Sequence, residues 1–407
     1  MADERTFVVV GGGLAGAKAV EALRDKGFGG RLVLFAGEDH LPYERPPLSK
    51  DYLKTGEGLD DAFVHDRDWY AAHDVDVRTG TVVAALDRDA HEVVTEGGER
   101  LHWDRLLLAT GSSPRRLTLP GADLDGVLSL RTIEDSDRLR GALRPGQRLV
   151  LIGGGWIGLE VAAAAREAGA DVTVLETLDL PLVRVLGPTV AQVFADLHRE
   201  HGVDLRTGVS VEEITGEDGR VAGVRLGDGT TVPADTVVVG IGAAPNVGLA
   251  QGAGLEVDNG VLADAVGRTS DPDVFVAGDV ANVEHPFLGR RVRVEHWANA
   301  LDQPALVAAA MLDQQGPEPQ LPFFFSDQYD LGLEYHGLGS PDDEVVVRGD
   351  LAGREFLAFW LRDGVVTAGM NVNVWDVGDA VKGLIRSRTR VDRARLADAD
   401  VPLENLT

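Results

Sequence analysis

The 407-residue chain contains no cysteine. That absence excludes disulfides, thiolate-bound metals, iron–sulfur ligation by the chain itself and every cysteine nucleophile or sulfenic acid. Cations are also scarce: 39 Lys and Arg stand against 66 Asp and Glu, a formal net charge of -27. A surface of that sign repels a phosphate backbone at long range, so nucleic acid is not an expected partner. There is no run of 18 apolar residues, the length a membrane-crossing helix needs. The N-terminus is acidic and passes at once into an apolar run, without the features of a signal peptide, so the expected location is cytoplasmic. What remains, 44% hydrophobic and 26% charged residues over this length, is the composition of a globular protein of two or three domains.

Glycine is plentiful, and its placement is informative. Residues 6–10, TFVVV, form a short β-branched run, followed by GGGLAG at 11–16 and a helical stretch. Strand, tight turn and helix together make a dinucleotide-binding pattern. Gly11 permits the turn, Gly13 lets the backbone approach a pyrophosphate, and Gly16 lets helix and strand pack closely. The open amides and dipole of the helix N-terminus then meet the phosphate charge. A second strand, RLVLF at 31–35, leads to Glu38, placed to accept hydrogen bonds from an adenosine ribose. The unit recurs at 148–176, with Gly153, Gly155 and Gly158 in the turn and Glu176 ending the next strand. Two such turns mean two dinucleotides. Glu176 favours the free 2′-hydroxyl of NADH and repels the 2′-phosphate of NADPH, and no cation follows it until Arg184.

Between and after the turns, residues 78–114 read as a small antiparallel meander ending in a buried strand. That strand runs into Ala109, Thr110 and Gly111, small enough for close backbone approach to a cofactor. Two later buried strands end in Gly240, Ile241 and Gly242, and in Gly278 and Asp279. Asp279 is placed to accept from ligand hydroxyls, a role compatible with capping a following helix. Residues 291–312 pass from strand to helix near Glu295, His296 and Trp297, with Pro304 expected in the first turns. From about 325 the pattern is that of an antiparallel sheet followed by a terminal helix. One stretch, PYERPPLSK at 42–50, is a stiff elbow carrying Arg45 and Lys50 that belongs in neither a helix nor a central strand.

Taken in order, GGGLAG at 11–16, RPPLSK at 45–50, LATG at 108–111, GGGWIGLE at 153–160, GIGAAPN at 240–246, VAGDVA at 276–281, EHWANALDQ at 295–303 and FSDQY at 325–329 carry a resemblance. The chain resembles the NADH-dependent, FAD-containing ferredoxin reductases of the pyridine nucleotide-disulfide oxidoreductase superfamily. The resemblance implies an α/β fold: two Rossmann-like, glutathione-reductase-like dinucleotide-binding domains plus a C-terminal α+β domain. FAD would be held by residues 1–114 and 245–325, NADH by 115–244, and the last domain would be 326–407. It further implies that Leu14, Ala15, Glu38, Lys50, Val83, Arg131, Asp279, Trp297 and Phe325 approach FAD, and that Arg45 lies towards its phosphates. Trp156, Ile157, Glu176, Arg184, Ile241 and Gly242 would line the NADH site. Phe325 stands where relatives often carry tryptophan.

The same resemblance implies that Lys50 and Glu160 meet at the flavin, where the cation offsets charge on the reduced ring and Glu160 holds the cation. Disulfide-reducing members of the superfamily use a cysteine pair, which is impossible here. They also use a C-terminal histidine–glutamate pair, and the last 80 residues hold only His336. Electrons are therefore expected to leave for an outside acceptor, a [2Fe-2S] ferredoxin serving a cytochrome monooxygenase or ring-hydroxylating dioxygenase. Candidate docking cations are Arg290, Arg291 and Arg293, and the cluster Arg386, Arg388, Arg390, Arg393 and Arg395. A rubredoxin reductase and an NADH-sensing interaction protein akin to apoptosis-inducing factor are the alternatives on the same scaffold. No metal or membrane site is expected.

Overall fold

The run TFVVV forms a strand, Thr6–Val10, whose last four residues are buried. In this computed structural model, which describes residues 3–406, that strand lies within a five-stranded parallel sheet. The order is Val274–Val276, Arg105–Leu108, Thr6–Val10, Arg31–Phe35, Val75–Arg78. Burial on both faces explains why the central strands are unbroken Val and Leu runs and not alternating ones. The chain leaves the middle strand on one side for Arg31–Phe35 and returns on the other for Arg105–Leu108. That reversal opens a crevice beyond the carboxyl ends of Val10 and Leu108. The Leu14–Asp25 helix covers one face, burying Ala19, Val20 and Leu23 with Phe7, Leu34 and Val307. The expected meander is formed by Val83–Asp87, Glu92–Thr95 and Arg100–His102, and its Val93 and Leu101 share a core with Val10, Val33 and the fully buried Trp103. This first compact unit comprises the chain up to Arg45, Gly58–Ser113 and Ala243–Pro322.

Two local expectations are corrected in this unit. Pro304 lies in the middle of the Trp297–Met311 helix, not in its first turns. The amide it lacks would have bonded the carbonyl of Ala300, a half-buried position. Asp279 caps no helix. It sits in a single tight turn, Gly278–Val280, because the residues that follow enter a strand, Ala281–His285, paired with Val261–Ala263 and Arg290–Arg293.

The second unit repeats the plan with a parallel sheet in the order Asp204–Arg206, Asp171–Leu175, Arg148–Ile152, Thr236–Val239, Val127–Leu128. Its reversal falls between Arg148–Ile152 and Thr236–Val239. The unit comprises Pro46–Glu57, Pro114–Gly242 and the chain from Phe323 on, a division that differs from the expected one in two ways. First, the elbow from Pro46 packs here: Ser136 Oγ donates to the Leu48 carbonyl at 2.9 Å and the Tyr52 hydroxyl donates to Asp137 at 2.8 Å. Second, the C-terminal segment, which forms the expected domain around its own five-stranded sheet, is grouped with residues 114–242 in the same unit. Its strands run Phe323–Gln328, Leu331–Gly337, Val365–Val372, Glu355–Arg362, Glu344–Asp350, all antiparallel. Leu333, Tyr335, Trp360 and Met370 of this sheet share one core with Leu186, Val190 and Phe194 of the Val183–Glu200 helix. Each such side chain contributes about 1.5–3 kcal/mol when fully buried, which holds the sheet against that helix. Among the described residues no helix is long and apolar enough to cross a membrane.

Candidate active site

The first crevice is shaped by what a side chain at each glycine would meet. Gly11 has φ +132°, and a Cβ there would stand 2.0 Å from the Ala109 carbonyl oxygen. At Gly16 a Cβ would stand 2.0 Å from the Gly11 carbonyl oxygen, whereas at Gly13 it would meet nothing within 4 Å. The outer glycines are thus required by backbone packing. The middle one faces open space beside the amides at the start of the Leu14–Asp25 helix, as a phosphate seat requires. Gly278, with φ +77°, would bring a Cβ to 2.9 Å from the Ala15 methyl, so the turn carrying Asp279 lies against the helix start. Asp279 accepts the Ser112 hydroxyl at 2.8 Å. Thr110 and Asn246 are tied reciprocally, each donating its side chain to the other's carbonyl at 2.8 Å. Glu38 accepts Arg45 Nη2 at 2.6 Å and the Tyr43 hydroxyl at 2.5 Å, so Arg45 is held by the acid that follows the second strand. Trp297 Nε1 donates to Glu44 at 3.0 Å, half-buried His296 precedes the Trp297 helix without a side-chain capping bond, Glu295 pairs with Arg293, and Val83 begins the meander half-buried.

The second crevice reproduces this geometry. Gly153, with φ +108°, would place a Cβ 2.4 Å from the Gly240 carbonyl oxygen, and Gly158 would place one 2.6 Å from that of Gly153. At Gly155 the nearest atom is 3.8 Å away. The parallel extends to the ladder: Gly11 N donates to the Phe35 carbonyl at 2.9 Å, and Gly153 N to that of Leu175 at 2.8 Å. Glu176 differs from Glu38 in its partners, accepting the backbone amides of Gly154 at 2.8 Å and Leu178 at 2.9 Å. Ile157 and Ile241 are apolar residues 50% and 38% exposed, and Arg184 is exposed. Trp156 is set edge-on to Phe194 and tilted against Phe324, and Gly242 has φ +97°.

Within this second unit Lys50 and Glu160 meet. Lys50 Nζ lies 2.6 Å from Glu160 Oε1, with Glu160 7% exposed. A carboxylate so buried requires partners for both oxygens. Ser49 Oγ donates to Oε2 at 2.5 Å and Ser326 Oγ to Oε1 at 2.7 Å. The ammonium also lies 5.5 Å over the Phe325 ring and 4.0 Å from the exposed Asp327. Arg131 sits in the same unit, one residue before the Thr132–Asp135 capping box. Lys50, Arg131 and Phe325, expected beside the same ligand as Glu38 and Asp279, therefore belong to a different compact unit from those two. The two serines were not among the expected site residues. Each adjoins one inside a quoted motif, Ser49 before Lys50 and Ser326 after Phe325, and adjacency was the available signal.

Of the candidate docking cations, Arg291 pairs with Glu284 and donates to two carbonyls, and Arg293 is held by Glu295 and the Asp279 carbonyl. Arg290 is exposed, as are Arg386, Arg388 and Arg390. Arg393 pairs with Glu344, and Arg395 donates to the Asn405 carbonyl. Among the described residues no cluster of His, Asp or Glu could hold a metal.

Two family models match the chain: pyridine nucleotide-disulphide oxidoreductase over residues 5–304 and reductase C-terminal over 323–407. The ferredoxin reductase subunit of 5,5'-dehydrodivanillate O-demethylase from Sphingobium sp. is 43% identical over 404 residues, 98% of each chain. Putidaredoxin reductase of Pseudomonas putida is 39% identical over 404 residues, covering 98% of this chain and 96% of that one. The structure of a covalent putidaredoxin reductase–putidaredoxin complex superposes with a TM-score of 0.96 at 39% identity, covering 100% of this chain and 98% of that one. With its paired glycine crevices and a match over most of its length, the chain belongs to the pyridine nucleotide-disulphide oxidoreductase family.

Proposed function

We propose that this chain is the NADH-dependent reductase that supplies a [2Fe-2S] ferredoxin with electrons for an oxygenase. In the net reaction one NADH gives two electrons to two one-electron acceptors, yielding NAD+ and one released proton. FAD, when bound, supplies the conversion between an electron pair arriving as hydride and electrons leaving singly. The first glycine crevice fits its pyrophosphate at Gly13, Leu14 and Ala15, with Ala109, Thr110, Gly111 and Asp279 beyond the strand ends. The second crevice fits NADH, with Glu176 on the ribose and no paired cation to receive a 2′-phosphate. Lys50 provides fixed positive charge for the reduced ring, and Glu160, anchored by Ser49 and Ser326, fixes the ammonium.

The observation that carries this reading is an ion pair between half-buried Lys50 and buried Glu160 in a chain with no cysteine. No internal thiol can receive the electrons, so they leave for an acceptor outside the chain, which this reading takes to be a ferredoxin. Exposed Arg290, Arg386, Arg388 and Arg390 are the cations for an acidic partner. The relatives described above are named as reductases of ferredoxin or putidaredoxin, which favours neither rubredoxin nor a sensing role. The test is NADH-driven cytochrome c reduction by the FAD-loaded protein with ferredoxins from its own organism. Reduction is expected only when a [2Fe-2S] ferredoxin is added. An equal rate without one, or activity with rubredoxin alone, overturns the reading.

A further inference from the structure

The hydrogen bonds at Glu160 continue inward, away from Lys50. Ser326, 1% exposed, gives its only proton to Glu160, because a carboxylate has none to give back. Its oxygen can then only accept from Gln328, whose Nε2 lies at 3.2 Å. That fixes the amide orientation and turns Gln328 Oε1 towards His198 Nε2 at 3.0 Å. His198 must therefore carry its proton on Nε2. Burial pushes this imidazole down to about 4, so it is neutral and has one proton to place. Its other nitrogen, Nδ1, is left as an acceptor facing the Tyr329 hydroxyl at 3.4 Å, and burial raises that phenol, which keeps its proton. The charge on Glu160 thus sets the direction of every bond as far as Tyr329. Gln328 is 1% exposed and His198 0%, so water cannot substitute for a missing member.

The chain joins three elements of the second unit: the Trp156–Glu167 helix through Glu160, the Phe323–Gln328 strand through Ser326 and Gln328, and the Val183–Glu200 helix through His198. We propose that Gln328 and His198 are positioning residues for flavin reduction, holding the Ser326 hydroxyl on Glu160 and thereby the Lys50 ammonium in place. This rests on the reading that Lys50 and Glu160 act at the flavin. Neither residue touches the reacting atoms. Their effect passes through Ser326.

The experiment uses the FAD-loaded protein. Gln328→Met and His198→Phe keep size and remove the donors. Each is expected to lower the limiting rate of hydride transfer from NADH about fivefold, the factor that one lost hydrogen bond between neutral groups implies. The NADH dissociation constant is expected to stay unchanged and the midpoint potential of the bound flavin to fall. His198→Gln, which restores an N–H at that point, is expected to recover most of the rate. Unchanged rate and potential in both variants overturn the proposal.

A second readout is independent of turnover. Nitrogen-15 shifts of the His198 ring are expected to show Nε2–H in the native protein. In Glu160→Gln, where the new amide can donate to Ser326, some Nδ1–H form should appear. A native Nδ1–H tautomer overturns the chain itself. If Lys50→Ala leaves hydride transfer unchanged while the tautomer is as expected, the functional reading of the pair has failed, and the positioning role fails with it, although the chain stands.

Discussion

The two glycine crevices share strand order, turn geometry and even the ladder bond made by their first glycine, yet they treat their acids differently. Glu38 is neutralised by Arg45 and covered by the Tyr43 hydroxyl. Glu176 accepts only from its own strand-end surroundings, the amides of Gly154 and Leu178 and the Thr177 hydroxyl, and among the described residues no cation pairs with it. One charge is compensated inside the protein, and the other is left to act on whatever enters. That difference is suited to a cofactor held for the life of the protein in one crevice and a nicotinamide nucleotide exchanged at every turnover in the other. The sharing of geometry and the difference in charge can be broken separately.

The largest effects are expected where the geometry is shared. Gly11→Ala and Gly153→Ala drive a Cβ into backbone oxygen at 2.0 and 2.4 Å with φ positive. Each is expected to destabilise the protein by about 3 kcal/mol or more, read as the shift in the denaturant midpoint. Gly13→Ala and Gly155→Ala meet no such obstacle and should stay within about 1 kcal/mol of the parent. They should instead weaken ligand binding at least tenfold, read as FAD retention for the first and NADH affinity for the second. Full FAD retention by Gly13→Ala would count against the phosphate seat.

Next in size is the Lys50–Glu160 ion pair of the second unit. Lys50→Ala leaves Glu160 with its two serines and no cation. Hydride transfer measured by stopped flow should fall about 100-fold, the scale on which one fixed electrostatic partner acts. An unchanged rate and flavin spectrum would sink the assignment.

The two glycine crevices were legible because short-range rules determine them. β-branched runs, glycines at fixed offsets and an acid after the second strand are all local in sequence. The meeting of Lys50 and Glu160, 110 positions apart, was legible only through resemblance, since no periodicity links an elbow to a distant helix. Still less visible was the packing of that elbow. PYERPPLSK reads as one stiff piece, yet it is divided after Arg45: the part with Tyr43 and Arg45 serves Glu38, and the part from Pro46 serves Glu160. Gln328 and His198 were unreadable for a related reason. A polar residue on a strand and another on a helix are ordinary until tertiary packing buries both and removes water as an alternative partner.

Smaller effects are expected where the acids differ. Glu176→Ala removes the uncompensated charge and the acceptor of two amides, so NADH affinity should fall about tenfold and the preference over NADPH should narrow. Glu38→Ala releases Arg45 and should reduce FAD retention without changing the ratio of NADH to NADPH affinities. If both substitutions shift that ratio equally, the contrast between the crevices is wrong.

The smallest effects concern the two arginine clusters. In the first unit, Arg291 and Arg293 are engaged by Glu284, Glu295 and backbone carbonyls, so reversing their charge removes structural bonds. In the second, Arg386 and Arg388 lie at the exposed end of the Gly378–Ser387 helix and just past it. A protein of net charge -27 repels an acidic ferredoxin at a distance, and a local cation cluster offsets that repulsion only within about 8–10 Å at physiological salt. Arg386→Glu with Arg388→Glu is therefore expected to slow ferredoxin reduction about fivefold at low ionic strength through association, and hardly at all in high salt. Reduction of a small neutral dye by NADH should not change, because no ferredoxin is involved. Arg291→Glu should do the reverse, lowering thermal stability with little dependence on salt. A salt-independent loss for the Arg386 and Arg388 pair would move the docking surface elsewhere.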